Sequence, residues 1–393
     1  MEKKHPERKF EPIDLSNSDN LIVSSILNNA SDIHLEPIEN GLRIRFRIEG
    51  SLYEVDTIPW NNSNSQTLVN KLKVMADLDL SNTRLPQEGR ADFEHDKVKV
   101  NLRFATMPQL YGEKMVIRLY NIDKISKITK LGMNEYTLNK FKDLISGNYG
   151  MVLVTGPTGS GKSTTLYAAL NYLNNSKKNL MTIEDPIEIP VKFINQIQVN
   201  SKIGLNFKDV LRSILRLDPN IIMIGEIRDT ETVELAINAA QTGHLVISTL
   251  HTSHSIGTIT RLLDMGIPDF QIISSLRGIV AQKLINMICP HCKEEIESLL
   301  NKVRSFIGKG CPKCFNTGFK ERIPVFEILI LSDGFKRQIL ESPNEEELSL
   351  IAANEGFITM KKDALIKANE GLITLPSALS VTDEPLHSSF IKE

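Results

Sequence analysis

Residues 156–163 read Gly-Pro-Thr-Gly-Ser-Gly-Lys-Ser, and no other stretch restricts the fold of this chain so tightly. The spacing G-x-x-x-x-G-K-[ST] is met in full at Gly156, Gly161, Lys162 and Ser163, between an apolar run, MVLVT, and a helical stretch that opens at Ser163. Such a loop works through its backbone. Its glycines let N–H groups turn inward round a phosphate, and the helix N-terminus adds partial positive charge. Pro157, Thr158, Gly159 and Ser160 form the body of the loop. Lys162 is placed to reach β- and γ-phosphates and Ser163 to hold Mg²⁺, which makes ATP the expected ligand. A glycine-rich turn that binds nothing needs neither all four fixed positions nor both flanking elements.

The chain beyond residue 136 keeps the rhythm that such a loop demands. Four apolar runs, MVLVT, NLMTIED, NIIMIGEI and HLVISTL, alternate with helical stretches. Short buried strands separated by helices imply an α/β fold, a parallel sheet with helices on both faces. Ligands of these sheets bind at the C-terminal strand ends. There the sequence places Glu184, Asp185 and Glu226. Many nucleotide hydrolases use an Asp at the position of Gly225 to help hold the metal. That work falls here to Glu226, or to Glu184 and Asp185, and the sequence leaves open which acid activates water. A histidine stands at each end of HLVISTL. His251, at a strand end beside a nucleotide, is expected to hydrogen-bond a γ-phosphate oxygen and report hydrolysis. His244 stays open between that role and a structural one.

The first third of the chain has a different grammar. Residues 1–19 are polar and read as a flexible arm, and Asn20–Ala30 as a helix. In residues 41–50, Leu42, Ile44, Phe46 and Ile48 alternate with Arg43, Arg45 and Arg47, the period of a strand with one apolar and one basic face. A turn at Glu49-Gly50 leads to a second strand, SLYEVD. Val98, Val100, Leu102 and Phe104 repeat the alternation, and Met115–Tyr120 reads as a further strand. Residues 20–121 thus form a small α+β domain on an antiparallel sheet. A connector over 122–132 leads to the larger domain, 133–383, with a loose tail at 384–393.

All four cysteines fall in two CxxC pairs, Cys289/Cys292 and Cys311/Cys314. The 18 intervening residues (311 − 292 − 1) suit a four-cysteine zinc site, two knuckles completing a closed tetrahedron around Zn²⁺ over residues 289–314. A closed site is structural, and His291 is a bystander within the first knuckle. The formal net charge of −2 offers no overall positive field for nucleic acid. No apolar run approaches the roughly 18 residues that span a bilayer. The N-terminus lacks the apolar core of a secretory signal, so the chain is expected in the cytoplasm.

Together the segments ASDIHLEP, RFRIEG, LPQEGR, GPTGSGKSTTLYA, MTIEDPIE, IIMIGEIRDTETVELAINAAQTGHLVISTLHT and the paired CxxC resemble the secretion and pilus-assembly ATPase family. They run in the family's order over roughly residues 20–382. The resemblance implies a PAS-like N-terminal domain, a RecA-like motor domain and a homohexamer. It matches Glu184 and Asp185 to the family's Asp box, Glu226 to its variant second nucleotide motif and His251 to its His box, and it adds Thr164 to the nucleotide-binding residues. By the same resemblance Arg103 and Arg118 belong to N-terminal-domain arginines that approach the nucleotide, and Arg212 and Arg216 to further phosphate-side arginines.

The expected activity is therefore ATP hydrolysis, coupled to assembly of a type II secretion pseudopilus or a type IV pilus-like fibre. The expected partners are an inner-membrane platform protein and a cytoplasmic docking protein, with the chain held peripherally at the inner face of the cytoplasmic membrane. About twenty polar residues precede the PAS-like part, which leaves docking through an additional N-terminal domain open. A competence-pilus motor fits the same features. Retraction motors of the family lack the four cysteines. A nucleic-acid translocase on the same core would call for a basic channel, and a non-hydrolysing switch is disfavoured by Lys162, Ser163 and Glu226.

Overall fold

The alternation in residues 41–50 is realised as a strand whose apolar side chains are all buried. The structure, a computed structural model, describes residues 17–48, 50–60, 64–95, 98–121, 127–200, 203–297 and 303–382. Most of the polar arm, residues 122–126 of the connector and the tail at 384–393 lie outside them. The chain divides into two compact units between Lys124 and Ile125, with Cys311–Thr317 counted with the first. Each is described by itself.

In the first unit, α1 (Ser18–Leu27) is capped by Asn17, whose side chain accepts from the Asp19 N–H. It is followed by β1 (Asp32–Ile38), β2 (Gly41–Ile48), β3 (Ser51–Pro59), α2 (Asn64–Met75), β4 (Gln87–His95), β5 (Val98–Gln109) and β6 (Gly112–Asn121). The six strands pair antiparallel in the order β3-β2-β1-β6-β5-β4. Leu42, Ile44 and Phe46 of β2 meet Leu102 and Phe104 of β5 and Leu21, Ile22 and Leu72 of the helices in one core. Each such side chain contributes about 1.5–3 kcal/mol on burial. β1, α2 and β4 have no counterpart in the sequence reading. β4 carries six charged or polar residues among its nine, and its inward positions Gly89, Ala91 and Phe93 include one large apolar side chain, so its alternation is weak.

The second unit opens with α3 (Glu135–Ile145), β7 (Gly150–Thr155), α4 (Lys162–Leu173), β8 (Leu180–Glu184), β9 (Asn195–Gln198), α5 (Phe207–Ile214), β10 (Ile221–Ile224), α6 (Thr230–Gln241) and β11 (Leu245–Leu250). It continues with α7 (Ile256–Asp264), α8 (Asp269–Ser275), β12 (Leu276–Ile288), β13 (Lys293–Ile296), β14 (Ser305–Gly308), β15 (Phe319–Ile330), α9 (Asp333–Glu341), α10 (Glu345–Asn354), α11 (Met360–Asn369) and α12 (Leu375–Leu379). The main sheet has the order β15-β12-β7-β11-β10-β8-β9, parallel except for β15, which pairs antiparallel with β12. Every residue of β7, β8, β10 and β11 is buried, because helices cover both faces. The expected parallel α/β sheet is there, with the long β12–β15 ribbon added beyond the four strands read from sequence. Among the described residues no helix is long and apolar enough to cross a membrane.

The basic face expected of the first unit is charge-balanced from within. Glu36 of β1, almost wholly buried, accepts from Arg43 at 2.9 Å, Arg45 at 2.6 Å and Lys114 at 3.0 Å. Asp32 receives Arg118 at 2.8 Å. Burial alone would raise the Glu36 pKa, but the hydrogen bonds from Arg45, Lys114 and Arg43 win and hold it at about 2, against 4.5 for a free side chain. A depressed carboxylate pKa gives stability that is present above the unfolded value and lost as pH falls towards the folded one. The window is therefore pH 4.5 down to 2. The effect is no more than about 3 kcal/mol, less what solvent screens from the part-exposed guanidiniums. Trp60, the chain's single tryptophan, donates to the Ile38 carbonyl at 2.8 Å and reports on this sheet. Acid titration followed by Trp60 fluorescence should show a steep loss of structure below pH 4.5. In Glu36→Gln the first unit should be less stable at neutral pH, with a flatter acid limb; an unchanged limb would remove Glu36 as its cause.

Candidate functional site

Four parallel strands, β7, β8, β10 and β11, end on the same edge of the second unit's sheet, and most of the sequence-selected residues follow those ends. After Thr155 the chain turns at Gly156 (φ +147°), Gly159 (φ +77°) and Gly161 (φ +90°), and Gly161 is the N-cap of α4. A side chain at any of these would be strained, so the glycines set the loop's curvature. Lys162 folds back over the loop, donating to the carbonyls of Gly156 at 2.8 Å and Pro157 at 3.1 Å. Burial lowers its pKa, with the Glu226 carboxylate opposing. Ser163 is half-buried and Thr164 exposed at the mouth.

Glu226 is the hub of the carboxylate side. It pairs with Arg228, and its Oε2 lies 3.6 Å from His251 Nε2. Arg228 also reaches Asp185, with 3.8 Å between Nη1 and Oδ2. One guanidinium thus spans the ends of β8 and β10, and Glu226 in turn raises its pKa. At Gly225, where the aspartate is missing, a Cβ would fit tightly, 3.2 Å from the Ile183 carbonyl and 3.5 Å from Glu184 Cα. Asp229, which follows, caps α6 by accepting from the Thr232 N–H at 2.8 Å.

Glu184 has a different environment from Glu226. It is buried and accepts from Tyr167 Oη, from Thr182 Oγ1 at 2.6 Å and from Gln196 Nε2 at 3.0 Å. Tyr167 also accepts the N–H groups of Glu188 and Ile189. Burial, and then the Glu184 charge, push its phenol well above the ordinary range. The carboxylate is therefore an anchor for the segment between β8 and β9.

His251 stands at the phosphate edge of β11, half exposed. His244 stands at the opposite end, its Nδ1 3.0 Å from the Ala239 carbonyl of α6. Buried Thr155 Oγ1 is 2.5 Å from Thr252 Oγ1 and accepts the Thr252 N–H at 2.9 Å, and Thr252 Oγ1 lies 2.7 Å from Thr258 Oγ1 of α7. Arg212 is exposed and paired with Glu231 at 3.4 Å, and Arg216 is exposed beyond α5. Arg103 and Arg118 belong to the first unit, opposite each other in the β5–β6 register.

The four thiols lie within 4.8 Å of one another, with Cys311 Sγ 3.7 Å from Cys314 Sγ and no disulfide. Four sulfurs at about 2.3 Å round one ion would stand about 3.8 Å apart, so the donor set fits a closed four-thiolate metal centre. Glycine packing brings the knuckles together. A Cβ on Gly308 would meet the Gly318 carbonyl at 2.0 Å, and Gly318 accepts the Cys289 N–H at 2.9 Å. His291 is exposed and outside the cluster.

Sequence reasoning missed Arg228, Tyr167, Thr155 and Gln282 of β12. For Arg228 the sequence offered its closeness to Glu226, two residues away.

Most of the chain is similar to known proteins. Residues 7–380 match the family model described as type II/IV secretion system protein. Over 378 residues the chain is 39% identical to the type IV pilus assembly ATPase PilB of Thermus thermophilus, covering 93% of this chain and 42% of that protein. It is 43% identical over 342 residues to the type II secretion system ATPase E of Vibrio cholerae, covering 84% and 67%. The chain therefore spans well under half of one relative and about two thirds of the other. Among solved structures, the pilus retraction motor PilT with bound ADP aligns at TM-score 0.66 and 29% identity, over 95% of this chain and 98% of that one. The ATPase DotB of Legionella pneumophila aligns at TM-score 0.71 and 24% identity over 95% and 97%, a likeness of fold.

Proposed function

Because the chain belongs to the type II/IV secretion system protein family, we propose that it is an ATP-hydrolysing motor for assembly of a type II secretion pseudopilus or a type IV pilus-like fibre. Its proposed working form is a homohexamer at the inner face of the cytoplasmic membrane, acting on an inner-membrane platform protein and a cytoplasmic docking protein. The observation that carries the reading is the meeting of Lys162, Glu226 and His251 on one sheet edge beside a complete phosphate loop.

The loop's inward N–H groups and the Lys162 ammonium bind the β- and γ-phosphates and offset the charge that gathers on the transferred phosphoryl. Glu226 orients water in line with the γ-phosphorus and accepts its proton as the new O–P bond forms and the bond to the β-phosphate oxygen breaks. His251 senses the same carboxylate across 3.6 Å. Arg228 holds Glu226 and Asp185 in register. Mg²⁺, held through Ser163 with Asp185 in support, would neutralise phosphate charge. The thiolates of Cys289, Cys292, Cys311 and Cys314 would hold Zn²⁺ in a closed shell and leave no position for a reacting water. The four-cysteine centre also favours the assembly branch of the family over retraction motors.

Lys162→Ala should lower ATP turnover by a factor of about 10²–10³ or more. Glu226→Gln should bind ATP as the parent does while hydrolysing it about 10²–10⁴-fold more slowly. Phosphate release measured on the full chain tests both, and near-parental turnover by Glu226→Gln would take the base role away from Glu226. The thiolate centre has its own check. Elemental analysis of chelator-free protein should find one zinc per chain, and Cys311→Ser should lose it with little change in nucleotide affinity. Metal-free protein with all thiols reduced would count against zinc.

A further inference from the structure

Gln282 lies in the middle of β12, almost fully buried, on the far side of the phosphate loop from the mouth. Its Nε2 donates to the Ser160 carbonyl at 2.7 Å, and its Oε1 accepts from Thr165 Oγ1 of α4 at 2.7 Å. Its own main-chain carbonyl presses against the start of the loop, where a Cβ on Gly156 would come within 2.2 Å. One residue of a neighbouring strand thus touches the loop's first glycine, its fifth residue and the first turn of the following helix.

We propose that Gln282 is a positioning residue for the phosphate loop, holding it in the phosphate-accepting shape without touching nucleotide. The inference rests on the nucleotide reading of the site and goes beyond it in assigning the loop's preorganisation to a side chain outside the motif. In a trans peptide the C=O and the following N–H point in opposite directions within one rigid plane. Drawing the Ser160 carbonyl back towards β12 therefore turns the Gly161 N–H the other way, into the curve where a phosphate sits. The task requires donating to a carbonyl and accepting from a hydroxyl at the same moment. An amide side chain does both; a carboxylate only accepts and an ammonium only donates. Both bonds are buried, so an unmade one is not replaced by water. The loop then has to be ordered by the incoming nucleotide, which weakens binding of ground state and transition state alike and raises KM while leaving kcat.

The test uses the full chain and three variants: Gln282→Met, which keeps length but loses both bonds; Gln282→Glu, which accepts but does not donate when ionised; and Thr165→Val, which removes one bond with little change of shape. ADP affinity, KM and kcat for ATP, and the thermal midpoint without nucleotide are measured for each. Gln282→Met and, at pH 8, Gln282→Glu should raise KM and the ADP Kd at least tenfold, about 1.4 kcal/mol, with kcat reduced no more than about threefold. Thr165→Val should follow in the same direction with a smaller factor, and it carries the test alone should Gln282→Met fail to fold. A KM within about twofold of the parent, or a lowered midpoint with unchanged KM, overturns the positioning role and assigns Gln282 to packing. A parent chain that binds no ADP overturns the nucleotide reading itself, a result separable from the first because it appears before any substitution is made.

Discussion

The buried hydroxyl of Thr155 joins the two pieces of chain on which any nucleotide chemistry here depends. It is the last residue of β7, immediately before the phosphate loop, and it accepts the N–H of Thr252, the residue after His251. Parallel pairing of β7 with β11 brings these strand ends level, Thr155 against Leu250. The hydroxyl fixes how the two loops leave the sheet. Thr252 extends the link to Thr258 in the first turn of α7. Glu327 of β15 secures the same turn from below, accepting the Ser255 N–H at 2.5 Å and the Met360 N–H at 3.0 Å. Its full burial raises its pKa, against the lowering effect of the Ser255 and Met360 N–H groups, the Ser255 hydroxyl and nearby His254. The loop that carries His251 is therefore held at both ends, and both ties meet the start of α7.

Against that frame the acidic residues divide their work by environment rather than by position. Glu184 and Glu226 end neighbouring strands, yet one accepts three hydrogen bonds in the interior while the other faces Lys162, Arg228 and His251 at the edge. A carboxylate that accepts from three side chains ties those side chains together. One with a movable guanidinium and an imidazole beside it can exchange partners. Arg228 adds the constraint that Asp185 and Glu226, two like charges, stay close enough to share a cation.

Much of this could be read from the chain, for identifiable reasons. Period-2 alternation in 41–48 and 98–104 fixed strands, because one face of an antiparallel sheet is buried. Four largely apolar runs separated by helical stretches announced parallel strands. β12 stayed hidden because Gln282, Lys283 and Asn286 interrupt its apolar residues, and its pairing is decided by β7 and β15, remote in sequence. Tyr167 and Thr155 could not be recognised for a related reason: a buried hydroxyl declares its role only through partners that the fold supplies. The arginines of β2 read as a basic face because Glu36 and Asp32, which neutralise them, come from the adjacent strand.

The cysteine lobe poses a stability question that its composition answers. Between Cys289 and Gly318 the buried apolar side chains among the described residues are Phe306 and two of the cysteines themselves, too few for a core. Its ion pairs, Arg304 with Glu295 and Lys309 with Glu294, are largely exposed, so solvent screens them and they add little. Lys293 and Arg304 lie over the Phe306 ring, which adds little more. What remains is the glycine crossing and the four thiols, a donor set through which a bound metal would add folding energy to the lobe. Cys289 directly follows β12, and Gln282 is seven residues upstream, roughly 23 Å along a strand. The β12–β15 register shifts between Asn286 and Ile288, and an irregularity of this kind absorbs local bending and twist. The cysteine cluster and the Gln282 contact with the phosphate loop therefore lie on opposite sides of that irregularity in one strand.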